Sequence, residues 1–295
     1  MYNTWMDDAA WRSAWGQRYR HQGATAGWRR VAHVIRTTRD PDAFLAELRQ
    51  TGLRDEAERW EVIINQPLSP EFNTDSWLFP EDAAYPPSWE DRLGDAAPPS
   101  VQTSGPVPAL AWLGIVGVRE ASDADQAWAF RLGEAAVRLG YGVISGGARG
   151  VDRAAVAGAL EAGGNALELL ATGLPGIGSH PPELVRASAL PHGAEFTTAM
   201  AWRRNAWIYG AAEAVVVVRA QMGRGGSWGA ARDGLRRHWA PLIVRGDPDD
   251  DASRAIAAQG AVPLADAEGL AGAIEESKRR FNLRAPGTLF SLPRS

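Results

Sequence analysis

Glycine-rich loops that also carry arginine are the parts of this sequence best suited to chemistry. The segment SGGARGVD, Ser145 to Asp152, follows an apolar run and precedes a helical pattern. Backbone N–H groups in such a loop, at the start of a helix, can form a cradle for a phosphate or an oxyanion. Arg149 can add a bidentate phosphate contact, and Asp152 is placed to cap the helix or to organise the loop amides. A tight turn with a helix cap is the alternative interpretation.

Three further loops combine the same residue types. GVREAS, residues 117–122, follows the apolar run AWLGIV and carries Arg119. The triplet RRN, residues 203–205, is predicted to open a helix ahead of the apolar run AVVVV, although a solvated arginine pair is an alternative explanation. Arg224 precedes GGS, residues 225–227, at another predicted helix start, where the same cradle can form.

These four loops would converge if the apolar runs between them are strands of one sheet. Apolar runs and helical patterns alternate from Ala111 to about Lys278, and the runs are AWLGIVG, YGVIS, NALELLA, AVVVVRA and APLIVR. Short apolar runs are typical of buried parallel strands, and their alternation with helices predicts an α/β fold with a doubly wound, mostly parallel Rossmann-like sheet. In such a sheet, ligands bind at the carboxyl ends of the strands.

The sequence therefore predicts one anion-binding site made by four loops at the carboxyl edge of the sheet. The net charge of the chain is −4, but the segment from Met200 to Arg245 contains eight arginines and only two acidic residues, which favours a local positive surface. The predicted phosphate-binding residues are Gly117, Arg119, Ser145, Gly146, Gly147, Arg149, Gly150, Asp152, Arg203, Arg204, Asn205, Arg224, Gly225, Gly226 and Ser227.

The chain outside this sheet has a different character. Residues 1–64 are predicted to form a small helical N-terminal domain, in which Asp40-Pro41 marks a new helix start. Residues 65–109 are rich in proline and turn formers and are predicted to form a linker or strap. Its Trp77, Leu78, Tyr85, Trp89 and Leu93 are too apolar for a solvated tether, so we expect them to pack. The Rossmann-like domain is assigned to residues 110–280 and a C-terminal tail to residues 281–295.

Composition and missing motifs exclude several function classes. The 295 residues include no cysteine, which excludes thiolate metal sites and cysteine nucleophiles, and the histidines are scattered. The one lysine, Lys278, does not belong to a G-x-x-x-x-G-K-S/T loop, no G-x-G-x-x-G opens a helix after the first strand, and no G-x-S-x-G occurs. We therefore predict no cofactor, no metal and no catalytic residues. A secretory signal and a membrane-length apolar run are missing, so we expect a cytoplasmic protein without a membrane partner.

The sequence between about Tyr85 and Arg245 resembles the DNA-processing protein A family (DprA, also called Smf), part of the wider Rossmann-like SLOG/LOG superfamily. The family motifs are VG-S/T-R, then SG-x-ARG-I/V-D, then RN-x-x-I, then a Gly-Gly-Ser/Thr helix start. Four segments of this sequence are similar to them, in the same order: IVGVREAS, YGVISGGARGVD, RRNAWIYG and GRGGSWGAARDGL. The family usually has histidine where Val156 stands and Ser or Thr where Val118 stands.

This resemblance implies a protein that binds single-stranded DNA, protects incoming strands, and helps to load a general, RecA-like recombinase during natural transformation and DNA recombination. It also implies a homodimer without enzymatic activity. The residues carried over as DNA contacts are Arg119, Ser145, Gly146, Gly147, Arg149, Gly150, Asp152, Arg204, Asn205 and the loop of residues 225–227. Single-strand binding also needs stacking partners. Candidates are Trp202, Trp207 and Trp228, although all three also suit a core.

Two other functions are compatible with the same loops. One is a nucleotide-binding sensor, and the other is a LOG-like nucleotide phosphoribohydrolase. Those hydrolases carry a P-G-G-x-G-T-x-x-E block with a catalytic glutamate. Here GRGGSWGAARD lacks the proline and places Asp233 on the helix instead of glutamate, which disfavours the enzyme.

Overall fold

The computed structural model describes residues 41–64, 76–80, 82–98, 100–174, 180–190, 194–247 and 250–284. Within these ranges, one nine-stranded sheet carries helices on both faces. The strands are β1 Ser76–Leu78, β2 Val101–Thr103, β3 Trp112–Val116, β4 Gly142–Ser145, β5 Ala166–Leu169, β6 Leu184–Ser188, β7 Ala214–Val217, β8 Leu242–Arg245 and β9 Val262–Leu264. The helices are α1 Pro41–Gln50, α2 Arg54–Ile64, α3 Ser88–Leu93, α4 Asp123–Arg138, α5 Val151–Glu161, α6 Thr198–Ala211, α7 Gly225–Arg236, α8 Asp251–Ala258 and α9 Leu270–Leu283.

The strand order is β1-β2-β6-β5-β4-β3-β7-β8-β9, and every pairing from β6 to β9 in that order is parallel. Strands β1 and β2 are antiparallel additions at one edge. The chain winds outward from β3 in one direction through β4 and β5, and then in the other direction through β7, β8 and β9. This reversal opens a crevice between the carboxyl ends of β3 and β7, where ligands bind in doubly wound sheets. The predicted fold class is therefore confirmed.

All five apolar runs that were predicted to be strands are strands, as β3, β4, β5, β7 and β8. The sequence did not reveal β1, β2, β6 and β9. Strands β1 and β2 lie in the segment predicted to be a linker or strap, and there is a physical reason why the other two were missed. Strand β6 contains Arg186, whose guanidinium pairs with Glu168 of β5 at 3.1 Å, so its apolar run is interrupted. Strand β9 is three residues long and contains Pro263, and proline is tolerated because β9 is an edge strand.

Helices α4 and α5 pack together on one face of the sheet at very short range. Their contact is possible because each supplies a glycine that faces the backbone of the other helix. A Cβ on Gly133 would overlap the carbonyl of Ala155, and a Cβ on Gly158 would overlap the carbonyl of Phe130. This close approach fixes the N-terminus of α5, and with it the loop of residues 145–152, against the sheet.

The strap before the sheet is part of the opposite face. Its apolar side chains Trp77, Leu78, Tyr85, Trp89 and Leu93 are buried, as expected from the sequence. The fully buried Trp89 donates from Nε1 to the carbonyl of Trp207 in α6 (2.6 Å), and the Trp207 indole donates to the carbonyl of Ala96 (2.8 Å). These two indole hydrogen bonds hold α3, and the turn that follows it, against α6.

Helices α1 and α2 pack against each other on the N-terminal side of the strap. Phe44 and Trp60 meet edge to face at 5.4 Å and share a buried cluster with Trp77 and Phe79. Helix α1 begins at Pro41, the predicted start, and proline is favoured at the first position of a helix. The helical pattern predicted for residues 1–40 lies outside the described residues, and α9 continues to Leu283, past residue 280.

The close approach of α4 and α5 can be tested with a pair of glycine substitutions. Gly158→Ala should lower the free energy of unfolding by about 1–3 kcal/mol, because the new methyl group has no space. Gly272→Ala in α9 is the matched control, since its Cβ would meet open space. That substitution should raise the free energy of unfolding by about 0.5–1 kcal/mol. Urea unfolding of both variants measures the two effects, and a Gly158 variant as stable as the control would contradict the packing.

Candidate nucleic-acid interface

The four predicted loops meet at the carboxyl edge of the sheet, beside the reversal between β3 and β7. The hydroxyl of Ser227, in the first turn of α7, donates to the carbonyl of Gly117 after β3 (2.8 Å). Asn205 in α6 donates from Nδ2 to the carbonyl of Gly226 (3.4 Å), and the hydroxyl of Ser145 donates back to a carbonyl of β3 (2.6 Å). Residues from α6, α7 and the ends of β3 and β4 thus line one crevice.

Two opposite charges are buried beneath these loops and face each other across Gly146. Arg204 is 6% exposed and Asp152 is 5% exposed. Arg204 donates from Nη1 to the carbonyl of Leu169 (3.2 Å), while Asp152 Oδ2 accepts a long hydrogen bond from the Ala148 amide (3.4 Å). A Cβ on Gly146 would overlap the Arg204 guanidinium, so only glycine allows the loop to pass between the two groups. We call these two residues the buried charge pair.

Burial dominates the electrostatics of both groups. It raises the pKa of Asp152, and the Arg204 charge and the surrounding loop amides oppose that rise only in part. Burial likewise lowers the pKa of Arg204, with the Asp152 charge acting in the opposite direction and Arg119 in the same one. Arg204 Nε has no hydrogen-bond partner among the described residues. Each charge therefore offsets part of the effect of burial on the pKa of the other.

The predicted helix starts are correct for α7 and wrong for α6. Helix α7 begins at Gly225, with Arg224 before it, as predicted. Helix α6 begins at Thr198, because the Thr197 hydroxyl caps it by accepting from the Met200 amide (3.1 Å). Residues 203–205 therefore lie in its second turn. The missed signal is Thr197, because threonine is a favourable N-cap residue.

Asp152 does not cap helix α5. The N-cap is Gly150, which has a φ of 79°, and no side chain caps the helix. A side chain at Gly150 would clash with the carbonyls of Val118 and Arg119, because the β3 loop runs directly against it. Asp152, in the first turn, instead accepts from the loop amide of Ala148, which is the second role that the sequence allowed.

Arg119 and Arg149 lie at the surface of the site. Both are exposed, and the Arg119 guanidinium lies over the ring of Phe196 with 4.7 Å between Cζ and the ring centroid. Phe196 is 46% exposed and was not identified from the sequence, where it is an isolated aromatic residue in a polar segment. The side chains of Arg203 and Arg224 make no hydrogen bond or ion pair with another described residue, and neither contacts the buried charge pair in the described part of the chain.

The positively charged surface is smaller than the count of arginines predicts, because some of these arginines pair with aspartates. Asp125, 3% exposed, accepts from Arg245 at 2.5 Å and from Arg219 at 3.4 Å. Arg219 also lies 3.6 Å from Asp247 and 3.4 Å from Asp250. Asp125 lies 94 and 120 residues from the two arginines in sequence, so its pairing with them was not visible there. This network neutralises two of the eight arginines between residues 200 and 245.

The three tryptophans considered for base stacking have different environments. Trp207 is 3% exposed and part of the core, so it is not available to a base. Trp202 is 39% exposed and donates from Nε1 to Asp233 Oδ2 (3.0 Å). Trp228 is half-buried beneath Arg232, with 5.8 Å between Cζ and the ring centroid. Only Trp202 and Trp228 therefore keep accessible ring surface.

The described residues contain neither a metal-ligand cluster nor a membrane-spanning helix. No group of three or more histidine or acidic side chains there could hold a metal ion. Among the helices in the described ranges, none combines the length and the apolar character needed to cross a bilayer.

Comparisons with known proteins point to one family. The sequence model of the family described as DNA recombination-mediator protein A matches residues 76–274. Protein Smf of Synechocystis sp. is 31% identical over 130 residues, which cover 40% of this chain and 29% of that protein, so the match spans under a third of that relative's length.

Two solved structures share the fold. DNA processing protein A (DprA) from Streptococcus pneumoniae superposes with a TM-score of 0.63 at 20% identity, covering 91% of this chain and 98% of that one. DNA processing protein A from Helicobacter pylori, described for its single-stranded DNA binding mode, superposes with a TM-score of 0.57 at 19% identity, covering 69% of this chain and 96% of that one.

A double-mutant cycle tests the buried charge pair. Asp152→Ala and Arg204→Ala should each lower the free energy of unfolding by about 3–5 kcal/mol, because each leaves a buried charge without its counterpart. The double variant should lose at least about 1 kcal/mol less than the sum of the two single losses. Urea unfolding measures all four proteins. Pairing Asp152→Ala with Arg203→Ala is the control and should be additive, and an additive result for the Arg204 cycle would contradict the pair.

Asp125 predicts a defined pH dependence of stability. Burial alone would raise the pKa of Asp125, but the Ser122 hydroxyl and the Arg219 and Arg245 charges hold it below its ordinary value. A carboxyl with a lowered pKa in the folded state stabilises the protein above its unfolded pKa of about 4, and this contribution is lost as the pH falls through the folded pKa.

Asp125→Asn should therefore lower the free energy of unfolding at pH 7 by about 1–3 kcal/mol, since both partner arginines are partly solvated. The difference in the free energy of unfolding between the variant and the unsubstituted protein should become smaller as the pH is lowered below about 4. Urea unfolding between pH 7 and pH 3 measures it. Asp123→Asn is the control, because Asp123 is exposed in the same first turn of α4. A loss of unfolding free energy for Asp125→Asn that stays constant with pH would contradict the network.

Proposed function

Because this chain belongs to the DNA recombination-mediator protein A family, we propose that it binds single-stranded DNA in the crevice between β3 and β7. In this proposal it acts in the cytoplasm as a homodimer, protects incoming strands, and passes them to a RecA-like recombinase during natural transformation. It binds the strand without a cofactor and without a catalytic step. The family supports the partner and the pathway, and the crevice supports the mode of binding.

One observation carries the proposal: exposed arginines and glycine-rich loops meet at a single crevice above a buried arginine. The exposed Arg119 and Arg149 can reach phosphates directly. Gly147 is partly exposed and presents no side chain beyond the α-carbon, so a sugar–phosphate backbone can approach the loop closely. Phosphate contacts dominate the affinity for nucleic acid and require no base-specific groups. A surface of this kind suits a strand of any sequence.

The buried charge pair supports this role without touching the strand. Arg204 is too buried to be a surface phosphate ligand, so we assign it a positioning role. Its charge opposes the rise in the pKa of Asp152 that burial causes, and Asp152 accepts from the Ala148 amide and faces those of Gly117 and Gly146. Fixed loop amides are a preorganised anion cradle.

Phe196 supports a preference for single strands over duplex DNA. Its ring is half-exposed and carries Arg119 on one face. Unpaired bases can stack on such a ring, and stacking is worth about 1–3 kcal/mol per base. Bases in a duplex are already stacked on one another and cannot use it.

The nucleotide hydrolase is the weaker alternative. Its catalytic glutamate would correspond to Asp233 on α7, but that carboxylate already accepts from the Trp202 indole (3.0 Å) and from Arg236 (2.5 Å). Both oxygens of this carboxylate are engaged by other side chains, so it is poorly placed to contact a substrate. A sensor for free nucleotides would use the same crevice, so the binding experiment includes mononucleotides.

Fluorescence anisotropy of a labelled oligo-dT over a salt series tests the proposal. Tight binding that weakens steeply with salt and that mononucleotides barely displace is expected, because consecutive phosphates each release counterions. Arg149→Ala should raise Kd by about 5- to 150-fold, equivalent to about 1–3 kcal/mol. Arg138→Ala, an equally exposed arginine in the last turn of α4, is the control and should leave Kd unchanged. A mononucleotide bound in place of the oligonucleotide would favour the sensor.

A further inference from the structure

A second cavity lies beside the crevice, on the α4 and α5 side of the sheet. Its volume is about 430 Å³, and it is open to solvent on one side. Its lining comes from the loop after β3, the start of α4 and the first two turns of α5. The polar residues of this lining are Arg119, Glu120, Gln126, Arg149 and Arg153, with Gly150, Ala154 and Ala157 completing it. We call this cavity the arginine pocket.

Three arginines and one carboxylate, that of Glu120, line the arginine pocket, so its lining carries a net positive charge. None of the ion pairs formed within the described residues involves Arg119, Arg149 or Arg153. Arg149 lies in the loop just before the N-cap Gly150, Arg153 lies in the first turn of α5, and both line the pocket. Like charges that line one cavity repel each other, and a bound anion would relieve that repulsion. The positive end of the α5 dipole acts in the same direction.

The wall between the arginine pocket and the crevice is tightly packed. The amide of Val151 approaches the carbonyl of Val118 at 3.4 Å, and no side chain fits at Gly150 between them. The pocket is therefore formed without a ligand. Arg119 lines the pocket and also lies over Phe196, so one guanidinium borders both compartments. A chain of phosphates that leaves the crevice over Arg119 would enter the pocket next.

The lining selects the chemistry of the ligand. A volume of about 430 Å³ lies within the range of small-molecule sites, but this lining is polar and cationic where such sites are usually apolar. Three guanidinium groups favour a phosphate. Glu120 repels a second phosphate and can accept hydrogen bonds from the N–H groups of a base. One nucleoside phosphate satisfies both requirements.

We propose that the arginine pocket is a second subsite that holds one nucleotide of the bound strand, with Arg153 among its phosphate ligands. The inference rests on the single-strand binding proposed above. Arg153 lies outside the family motifs, and its one sequence signal is its spacing of four residues from Arg149. A free nucleotide carries the same nucleoside phosphate chemistry, so the test must separate the two sources.

The test compares Arg153→Ala with Arg138→Ala, which removes an exposed arginine from α4 without altering the pocket. Arg153→Ala should weaken binding of labelled oligo-dT about tenfold and reduce the slope of log K against log salt by about 0.7, the value for one lost phosphate on a single strand. Arg138→Ala should change neither quantity. Thermal unfolding of both variants checks that their stability matches that of the unsubstituted protein.

The outcomes separate this inference from the function on which it rests. If the unsubstituted protein binds oligo-dT and Arg153→Ala behaves like the Arg138 control, the pocket is not a subsite, while the proposed function stands. If the unsubstituted protein does not bind oligo-dT, the proposed function fails, and calorimetry with dGMP decides the pocket. Binding of dGMP that Arg153→Ala weakens and Arg138→Ala does not would keep the pocket as a nucleotide site, and no binding would overturn it.

Discussion

Arg204 and Asp152 face each other in the interior across Gly146, and the shape of the surrounding loops depends on this attraction. Removing a charge from water costs several kcal/mol, which a facing charge and nearby amides can offset. Here the compensation comes from helix α6 on one side and from the start of α5 on the other. This attraction acts across the loop at Gly146, close to the point where the direction of winding reverses, and it is not a direct ion pair.

Glycine makes the arrangement possible wherever backbone must approach something closely. Gly146 leaves space for the Arg204 guanidinium, Gly150 lets α5 begin against the β3 loop, and Gly133 and Gly158 bring α4 onto α5. The last two contacts fix the helix that carries Asp152 and Arg153 and that begins just after Arg149 and Gly150. The contact between α4 and α5 therefore determines both how the core packs and where these charged side chains lie.

The sequence was sufficient for the central strands and for the loops that follow them, because buried parallel strands are apolar without interruption, and glycine next to arginine is conspicuous. It was insufficient where partners lie far apart along the chain. Arg219 and Arg245 look like surface cations until Asp125 is found 94 and 120 residues away. Arg204 resembles its neighbour Arg203 in every local respect, and only the fold buries one of them and leaves the other partly exposed. Burial and pairing are tertiary properties, whereas strand and loop chemistry are mostly local.

The hydrogen bond from the Trp89 indole to the carbonyl of Trp207 joins parts of the chain that are 118 residues apart. The strap therefore leaves the ribosome long before the helix on which it docks, and the Trp89 indole lacks this acceptor during that interval. Closure of so long a segment is slow compared with the formation of a local helix pair such as α4 and α5. We expect the α4–α5 layer to form early in synthesis and the crevice to be completed late, when α6 arrives and displaces water from the strap.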